Sequence, residues 1–199
     1  MNQPTLAPAD PRPAFTTATA RMTDLLSAVT ADTLDRPTPC TEFDVATLTA
    51  HILGVAQRSR AIATGGDVLA IDPIAAVRDA DSFAATIADT LSALGDDAVL
   101  GRPVTVPWGT VPVAGALWGY VNEMLVHGWD LAVATGQPAE SDDTADAAAT
   151  ALSVVRPFIS ADIRDDPAVP FGPVVAPRPA AGPTERLANW SGRSADGWV

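Results

Sequence analysis

Residues 111–138 read VPVAGALWGYVNEMLVHGWDLAVATGQP, and this stretch decides the fold. It is apolar on almost every side, and its pattern predicts a helix over 112–135 that ends where a glycine follows. Three ionisable side chains lie in its middle: Glu123, His127 and Asp130. Their charge would be costly in the hydrocarbon of a membrane, so we predict the central helix of a soluble helical core.

The two histidines of the chain fall on two different predicted helices. His127 follows Glu123 by four residues, so both side chains lie on one helix face, and Asp130 continues that stripe three residues later. His51 belongs to a second predicted helix within 41–66, where it lies on the apolar face and therefore points inward. We expect the two inward faces to bring His51, Glu123 and His127 together.

Two neutral imidazoles and one carboxylate are a ligand set that suits a divalent first-row metal ion. Zinc is the first candidate, and nickel, cobalt or iron fit the same nitrogen and oxygen ligands. Three protein ligands leave one coordination position open for water or substrate. Asp130 is expected to receive the other ring proton of His127, with a fourth ligand or a substrate contact as alternatives. A metal-free core with a buried Glu123–His127 pair also remains an alternative.

The single cysteine, Cys40, limits the kinds of site that the chain can build. It excludes an internal disulfide and a cysteine-based structural zinc site, so imidazole and carboxylate must hold any metal. Cys40 lies just before the second predicted helix, where a helix amino terminus would lower the pKa of a thiol and make it reactive. A packed and unreactive cysteine is the interpretation that we favour, with the reactive thiol as the alternative.

The excess of acidic over basic residues limits the kinds of partner that the protein can bind. The net charge of −12 comes from 24 acidic residues against 12 arginines, with no lysine in the chain. Such a surface repels phosphate backbones and anionic lipids, so we expect neither a nucleic acid nor a membrane as a partner. The amino terminus has neither the basic start nor the apolar run of a signal peptide, and we expect a cytoplasmic protein.

The pattern along the chain predicts one main domain. We expect a disordered arm at 1–13, a metal-binding helical bundle at 14–164, and a proline-rich tail at 165–199 that carries a short docking helix. Within the bundle, apolar periodicity and capping signals predict further helices. Their ranges are 15–33, 73–94 and 142–160. Residues 98–111 alternate β-branched residues around Pro-Trp-Gly, which indicates a short hairpin or an extended crossover.

Two segments resemble a known family. PTPCTEFDVATLTAHILG at 37–54 and NEMLVHGWDLAVATGQP at 122–138 are similar to the metal-binding domain of mycothiol-dependent maleylpyruvate isomerases and the related DinB-like proteins of actinobacteria. Arg186–Arg193 resembles the RL-x-x-(W/F)-x-GR element that ends the compact branch of these proteins. That branch usually carries tryptophan three residues after the cysteine, where this chain has Phe43.

The resemblance implies an all-α fold, a DinB-like four-helix bundle running up-down-down-up, with a C-terminal helical extension. It also implies a metal held by His51, Glu123 and His127, which would activate a low-molecular-weight thiol such as mycothiol toward an electrophile. The resemblance therefore implies an isomerase or a transferase. It implies a monomer or a homodimer as the oligomeric state. A non-catalytic metal-binding sensor or interaction module is the alternative.

Overall fold

The computed structural model describes residues 9–159, 161–164 and 171–199 of the chain. The predicted disordered arm lies mostly outside these residues, and the first helix already begins at Arg12, two residues before the predicted boundary. The beginning of the predicted proline-rich tail, 165–170, lies outside them as well.

Most of the described chain is helical. The helices are α1 (Arg12–Ser27), α2 (Val45–Thr64), α3 (Ala80–Ala93), α4 (Val113–Thr135), α5 (Asp142–Val155), α6 (Ala161–Arg164) and α7 (Pro183–Trp190). Two strands, β1 (Pro103–Val106) and β2 (Gly109–Pro112), pair antiparallel between α3 and α4. The all-α prediction is therefore corrected to a mostly helical fold with a small two-stranded sheet. Val104 and Val106 of β1 pack inward because successive strand side chains alternate between two faces.

α2 has well-defined ends, and these fix which of its residues face α4. The Asp44 side chain accepts a hydrogen bond from the backbone N–H of Thr47 at 2.7 Å and so caps the amino terminus. Gly65 ends the helix with φ 83°, a left-handed conformation that glycine adopts without steric cost. His51 therefore lies in the second turn, close to the capped end.

The third predicted helix, 73–94, is shorter in the structure. α3 begins only at Ala80, because the Asp79 side chain accepts the N–H of Ser82 at 2.8 Å and sets the helix start there. Residues 73–79 form a loop instead, and this loop packs against α2 beside His51.

α1 and α5 also end earlier than predicted. α1 ends at Ser27 and α5 at Val155, and short 3-10 turns follow at Ala31–Thr33 and Arg156–Phe158. Pro157 lacks the N–H that a further helical turn needs, which explains the end of α5.

α1 and α4 pack side by side and run in the same direction. Near the start of both helices, the indole N–H of Trp118 donates to the carbonyl of Ala9 at 2.8 Å. Near their ends, the Gln137 side-chain amide donates to the carbonyl of Leu25 at 3.1 Å. Two contacts at matching ends require a parallel pair.

α2 and α3 run against this pair. Arg102, which precedes the hairpin and hence the start of α4, donates to the carbonyl of Ile62 at the end of α2 at 2.6 Å. Arg12 at the start of α1 donates to the carbonyl of Leu94 just after α3 at 3.3 Å. α2 is therefore antiparallel to α4, and α3 is antiparallel to α1.

α4 is the most buried helix, as predicted, and contacts α1, α2, α5 and α7. Large apolar side chains on several of its sides, among them Leu117, Val121 and Trp129, are almost fully buried. Among the described residues, no helix combines the length and the apolar character needed to cross a membrane. α7 docks on α4 and α5, and it brings the end of the chain beside the ionisable residues of α4.

Candidate metal centre

α2 and α4 place the three predicted ligand residues next to one another. The Nε2 atom of His127 lies 3.3 Å from Oε2 of Glu123, and the Nε2 atom of His51 lies 3.5 Å from the same oxygen. The two imidazole rings meet edge to face, with centroids 4.9 Å apart. One nitrogen of each ring thus converges on one carboxylate oxygen.

The other ring nitrogen of His51 is held by the loop before α3. Nδ1 donates to the carbonyl oxygen of Pro73 at 3.0 Å, so Nε2 is the ring nitrogen directed at Glu123. Gly54, one turn along α2, allows this contact because a Cβ there would collide with the Pro73 carbonyl. The loop therefore sets the tautomer and orientation of the His51 ring.

The other ring nitrogen of His127 is held within α4. Its Nδ1 donates to Oδ2 of Asp130 at 3.0 Å, so Nε2 is again the atom available to a metal. Asp130 is completely buried, and Nε of Arg193 donates to its two oxygens at 3.3 and 3.2 Å. Asp130 is thus the hydrogen-bond partner of the Nδ1 atom of His127.

The charges of Glu123 and His127 depend on each other. Burial by itself would raise the pKa of Glu123, but hydrogen bonds to His127 and His51 outweigh burial and lower that pKa well below its usual range. Burial by itself would lower the pKa of His127, but hydrogen bonds to Asp130 and Glu123 raise it from 6.5 to about 9. At neutral pH, therefore, a proton on Nε2 of His127 occupies the position that a metal ion would take.

The spacing of the three ligand atoms fits a small divalent cation. A tetrahedral ion with bonds of about 2.0 to 2.1 Å holds its ligand atoms roughly 3.3 to 3.4 Å apart. The measured separations of 3.3 and 3.5 Å are close to this value, and all three atoms lie within 4.8 Å of one another. Since both Nδ1 atoms are already engaged, the donor set is two Nε2 atoms and one carboxylate. Metal binding itself stays a prediction.

The centre opens toward solvent on the side of Glu123. This side chain is 25% exposed, against 15% for His51 and 8% for His127. Phe43 packs on the outer face of the His51 ring, with centroids 5.2 Å apart, at the position where the resembling branch usually has tryptophan. Glu123 is therefore the most exposed of the three candidate ligands, and His127 is the most buried.

Cys40 lies behind His127 rather than at the open side. Its sulfur forms a second group, within 4.8 Å, with a ring nitrogen of His127 and an oxygen of Asp130. Burial first, and then the charges of Asp130 and Glu123, raise the pKa of the thiol to about 11, against the opposing effect of Arg193. The thiol is therefore protonated at neutral pH. The packed and unreactive cysteine that the sequence favours therefore fits the structure, and the reactive thiol does not.

Sequence reasoning did not single out three residues that orient the histidines: Gly54, Pro73 and Arg193. A glycine inside a strong helix pattern can signal a close backbone approach, and Gly54 is such a position. Arg193 was visible only as the end of the RL-x-x-W-x-GR element. No pattern indicated the Pro73 carbonyl, because its role depends on how a loop crosses α2.

Comparisons with known proteins place the chain in a family. The family model described as the mycothiol maleylpyruvate isomerase N-terminal domain matches residues 15–132. Two uncharacterized proteins of Mycobacterium tuberculosis, from strains CDC 1551 / Oshkosh and ATCC 25618 / H37Rv, are each 29% identical over 188 residues. These matches cover 93% of this chain and 98% of each relative.

The crystal structure of the mycothiol-dependent maleylpyruvate isomerase has a similar fold. The TM-score is 0.52 at 15% sequence identity, and the match covers 72% of this chain and 68% of the isomerase chain. At this identity the likeness concerns the fold. The family model spans more than half of the chain and includes His51, Glu123 and His127. The chain therefore belongs to the mycothiol maleylpyruvate isomerase N-terminal domain family.

Proposed function

We propose that this protein binds one divalent metal ion through His51, Glu123 and His127, and uses it to activate a low-molecular-weight thiol toward an electrophile. Zinc is the first candidate, with nickel, cobalt and iron as alternatives. The observation that carries the proposal is the convergence of two Nε2 atoms on Oε2 of Glu123, at 3.3 and 3.5 Å. Both rings are held through Nδ1, so neither has to turn to become a ligand.

A bound cation at this position would lower the pKa of a coordinated thiol, so that the thiolate forms at neutral pH. The residues of the chain would position this cation and balance its charge. His51 and His127 keep their lone pairs aimed at one point, and Glu123 offsets the charge of the cation. Cys40 does not supply the thiolate, because its pKa is raised to about 11. The nucleophile must therefore come from outside the chain.

Mycothiol is our first choice for this thiol, because the family carries its name and the similar fold is that of a mycothiol-dependent enzyme. The electrophile would approach from the exposed side of Glu123. Isomerisation or transfer are the reaction types we propose, since addition of a thiolate to an electrophile begins either one.

We further propose that α1 to α4 form a DinB-like four-helix bundle that runs up-down-down-up. The observed directions support it: α1 is parallel to α4, and α2 and α3 run against them. In such a bundle the two helices that carry the ligands are antiparallel neighbours. This arrangement accounts for the early position of His51 in α2 and the late position of His127 in α4.

Metal content is the first test. We expect one equivalent of metal in untagged protein measured by elemental analysis, and less than about a tenth of that in His127→Ala and in Glu123→Gln. Glu42→Gln is the matched control, because Glu42 is an exposed carboxylate outside the centre. Full loss in the two site variants with retention in the control supports the site. Equal metal content in all four proteins would refute it.

Thiol binding is the second test. We expect calorimetry to detect mycothiol binding to the metal-loaded protein and no binding to His127→Ala with its fold retained. Loaded protein that binds neither mycothiol nor any other small thiol would refute the proposed activation. In that case the non-catalytic metal-binding module would be the better description.

A further inference from the structure

Arg193 connects the carboxyl-terminal segment to the candidate metal centre. Its side chain is 13% exposed, and its Nε lies 3.3 and 3.2 Å from the two oxygens of Asp130. Asp130 is completely buried and accepts the Nδ1–H of His127 through Oδ2 at 3.0 Å. One continuous path of hydrogen bonds thus runs from Arg193 through Asp130 to the ring of His127.

The backbone at the end of α7 fixes where Arg193 points. Its N–H donates to the carbonyl of Ala188 at 2.9 Å, while the N–H of Gly192 donates to the carbonyl of Asn189 at 3.1 Å. Gly192 has φ 100°, so these two bonds form the left-handed cap that often ends a helix. The Asn189 side chain also donates to the carbonyl of Arg193 at 3.0 Å. The W-x-GR sequence therefore encodes a cap that turns the arginine back toward α4.

The positive charge of Arg193 compensates the buried carboxylate of Asp130. A carboxylate without any exposure is costly unless a cation or several donors compensate it. Arg193 provides that compensation, because its Nε lies within hydrogen-bond distance of both oxygens. An Asp130 held in this way keeps a fixed acceptor at Nδ1 of His127, and Nε2 stays directed at Glu123.

We infer that Arg193 is a positioning residue of the metal centre, which acts through Asp130 to hold His127 in the orientation that binds metal. This inference rests on the proposed function, because it gives the carboxyl-terminal segment a part in that site. α7 and its cap thereby complete a centre whose predicted ligands all come from α2 and α4.

The test compares two arginines of the same segment. Arg193→Met removes the contact to Asp130, while Arg178→Met, the matched control, removes an arginine that pairs with the equally buried Glu185 at 2.8 Å and does not touch His127. We expect Arg193→Met to weaken zinc binding about 10- to 100-fold, as is usual when a partner behind a metal-ligating histidine is lost. Arg178→Met should change it less than about twofold, even if both variants are less stable. Arg193→Lys, which keeps the charge, should recover part of the loss.

A second readout does not need the metal. The chain has two histidines, so nitrogen-15 spectra of untagged, metal-free protein contain the signals of only two imidazole rings. We expect the Nδ1–H signal of His127 to broaden or shift in Arg193→Met and to stay in place in Arg178→Met. In an Asp130→Asn background, Arg193→Met should weaken zinc binding no further, because the path is already broken.

Unchanged zinc affinity and an unchanged His127 signal in Arg193→Met would overturn the inference. Equal losses in Arg193→Met and Arg178→Met would also overturn it, since they would show only a general effect of the segment on folding. If the wild-type protein takes up no zinc, the proposed function fails. The spectra of the metal-free protein still decide the role of Arg193 in that case.

Discussion

The pH dependence of metal binding is the sharpest consequence of the electrostatics of the centre. In metal-free protein the pKa of His127 is raised from 6.5 to about 9, so a proton sits on this ring throughout the neutral range. A metal ion must displace that proton, and the apparent affinity then rises with pH until the pKa is passed. From a pKa of about 9, the affinity should increase roughly eightfold between pH 7.5 and 8.5, whereas a pKa of 6.5 gives an increase of only about 1.1-fold.

The assay is a competition titration of zinc against a chromophoric chelator at both pH values, corrected for the chelator's own protonation. Asp143→Asn, an exposed change at the start of α5, serves as the control and should behave as wild type. Asp130→Asn should flatten the pH dependence, because it removes a partner that stabilises the charged ring. A wild-type affinity that changes less than twofold over this interval would refute the reasoning.

The same shift predicts an opposite trend for stability. His127 has a raised pKa in the folded state, so its charged contacts stabilise metal-free protein fully below pH 6.5 and are lost as the pH rises through about 9. The loss is at most about 3 to 4 kcal/mol, because the shift from 6.5 to about 9 corresponds to about 1.4 kcal/mol per pH unit. In zinc-loaded protein His127 carries no proton, and above pH 6.5 the unfolded chain carries none there either, so this group should leave the stability of the loaded form nearly constant over the interval in which metal-free protein loses it. Thermal unfolding of both forms measures the difference.

Two substitutions and one chemical modification test separate parts of the structure. Gly54→Ala should displace the Pro73 carbonyl and weaken zinc binding about tenfold in the chelator titration, while Gly101→Ala, where nothing lies within 4 Å, should not. Gly136→Ala forces alanine into a conformation with φ 74°, so chemical denaturation should show a loss of about 1 kcal/mol with unchanged zinc affinity. Cys40 should react with iodoacetamide at pH 7.5 about a hundredfold more slowly than free cysteine, because its pKa is about 11. A rate equal to that of free cysteine would show that the thiol is not shielded.

Much of the helical framework could be predicted because its signals are local. The apolar run of α4 and the glycine at its end predicted that helix to within one residue, and Asp44 and Gly65 bounded α2. The third helix was predicted too long, because apolar residues in 73–79 continue the helical period although Asp79 caps the helix after them. The hairpin was one of two alternatives, since short alternating runs do not reveal their pairing partner.

The candidate ligands could also be predicted from the sequence. Glu123 and His127 share a helix face whatever the rest of the chain does, because their spacing of four residues matches the helical repeat. The apolar face around His51 predicted that it lies beside these two residues. The family resemblance, which the comparisons confirm, predicted the same. What the sequence determined by itself is therefore the identity of the three side chains and the helices that carry them.

Only the tertiary structure decided how these side chains are held. The Pro73 carbonyl reaches His51 across 22 residues of sequence, and Arg193 reaches Asp130 across 63. The state of Cys40 likewise depends on burial and on charges brought from other elements. Hydrogen bonds and pKa values depend on distance in space, and no helical or strand repeat encodes contacts between segments so far apart. For that reason the pattern could single out the candidate ligands, while the groups that orient them and shift their pKa values had to be found in the fold.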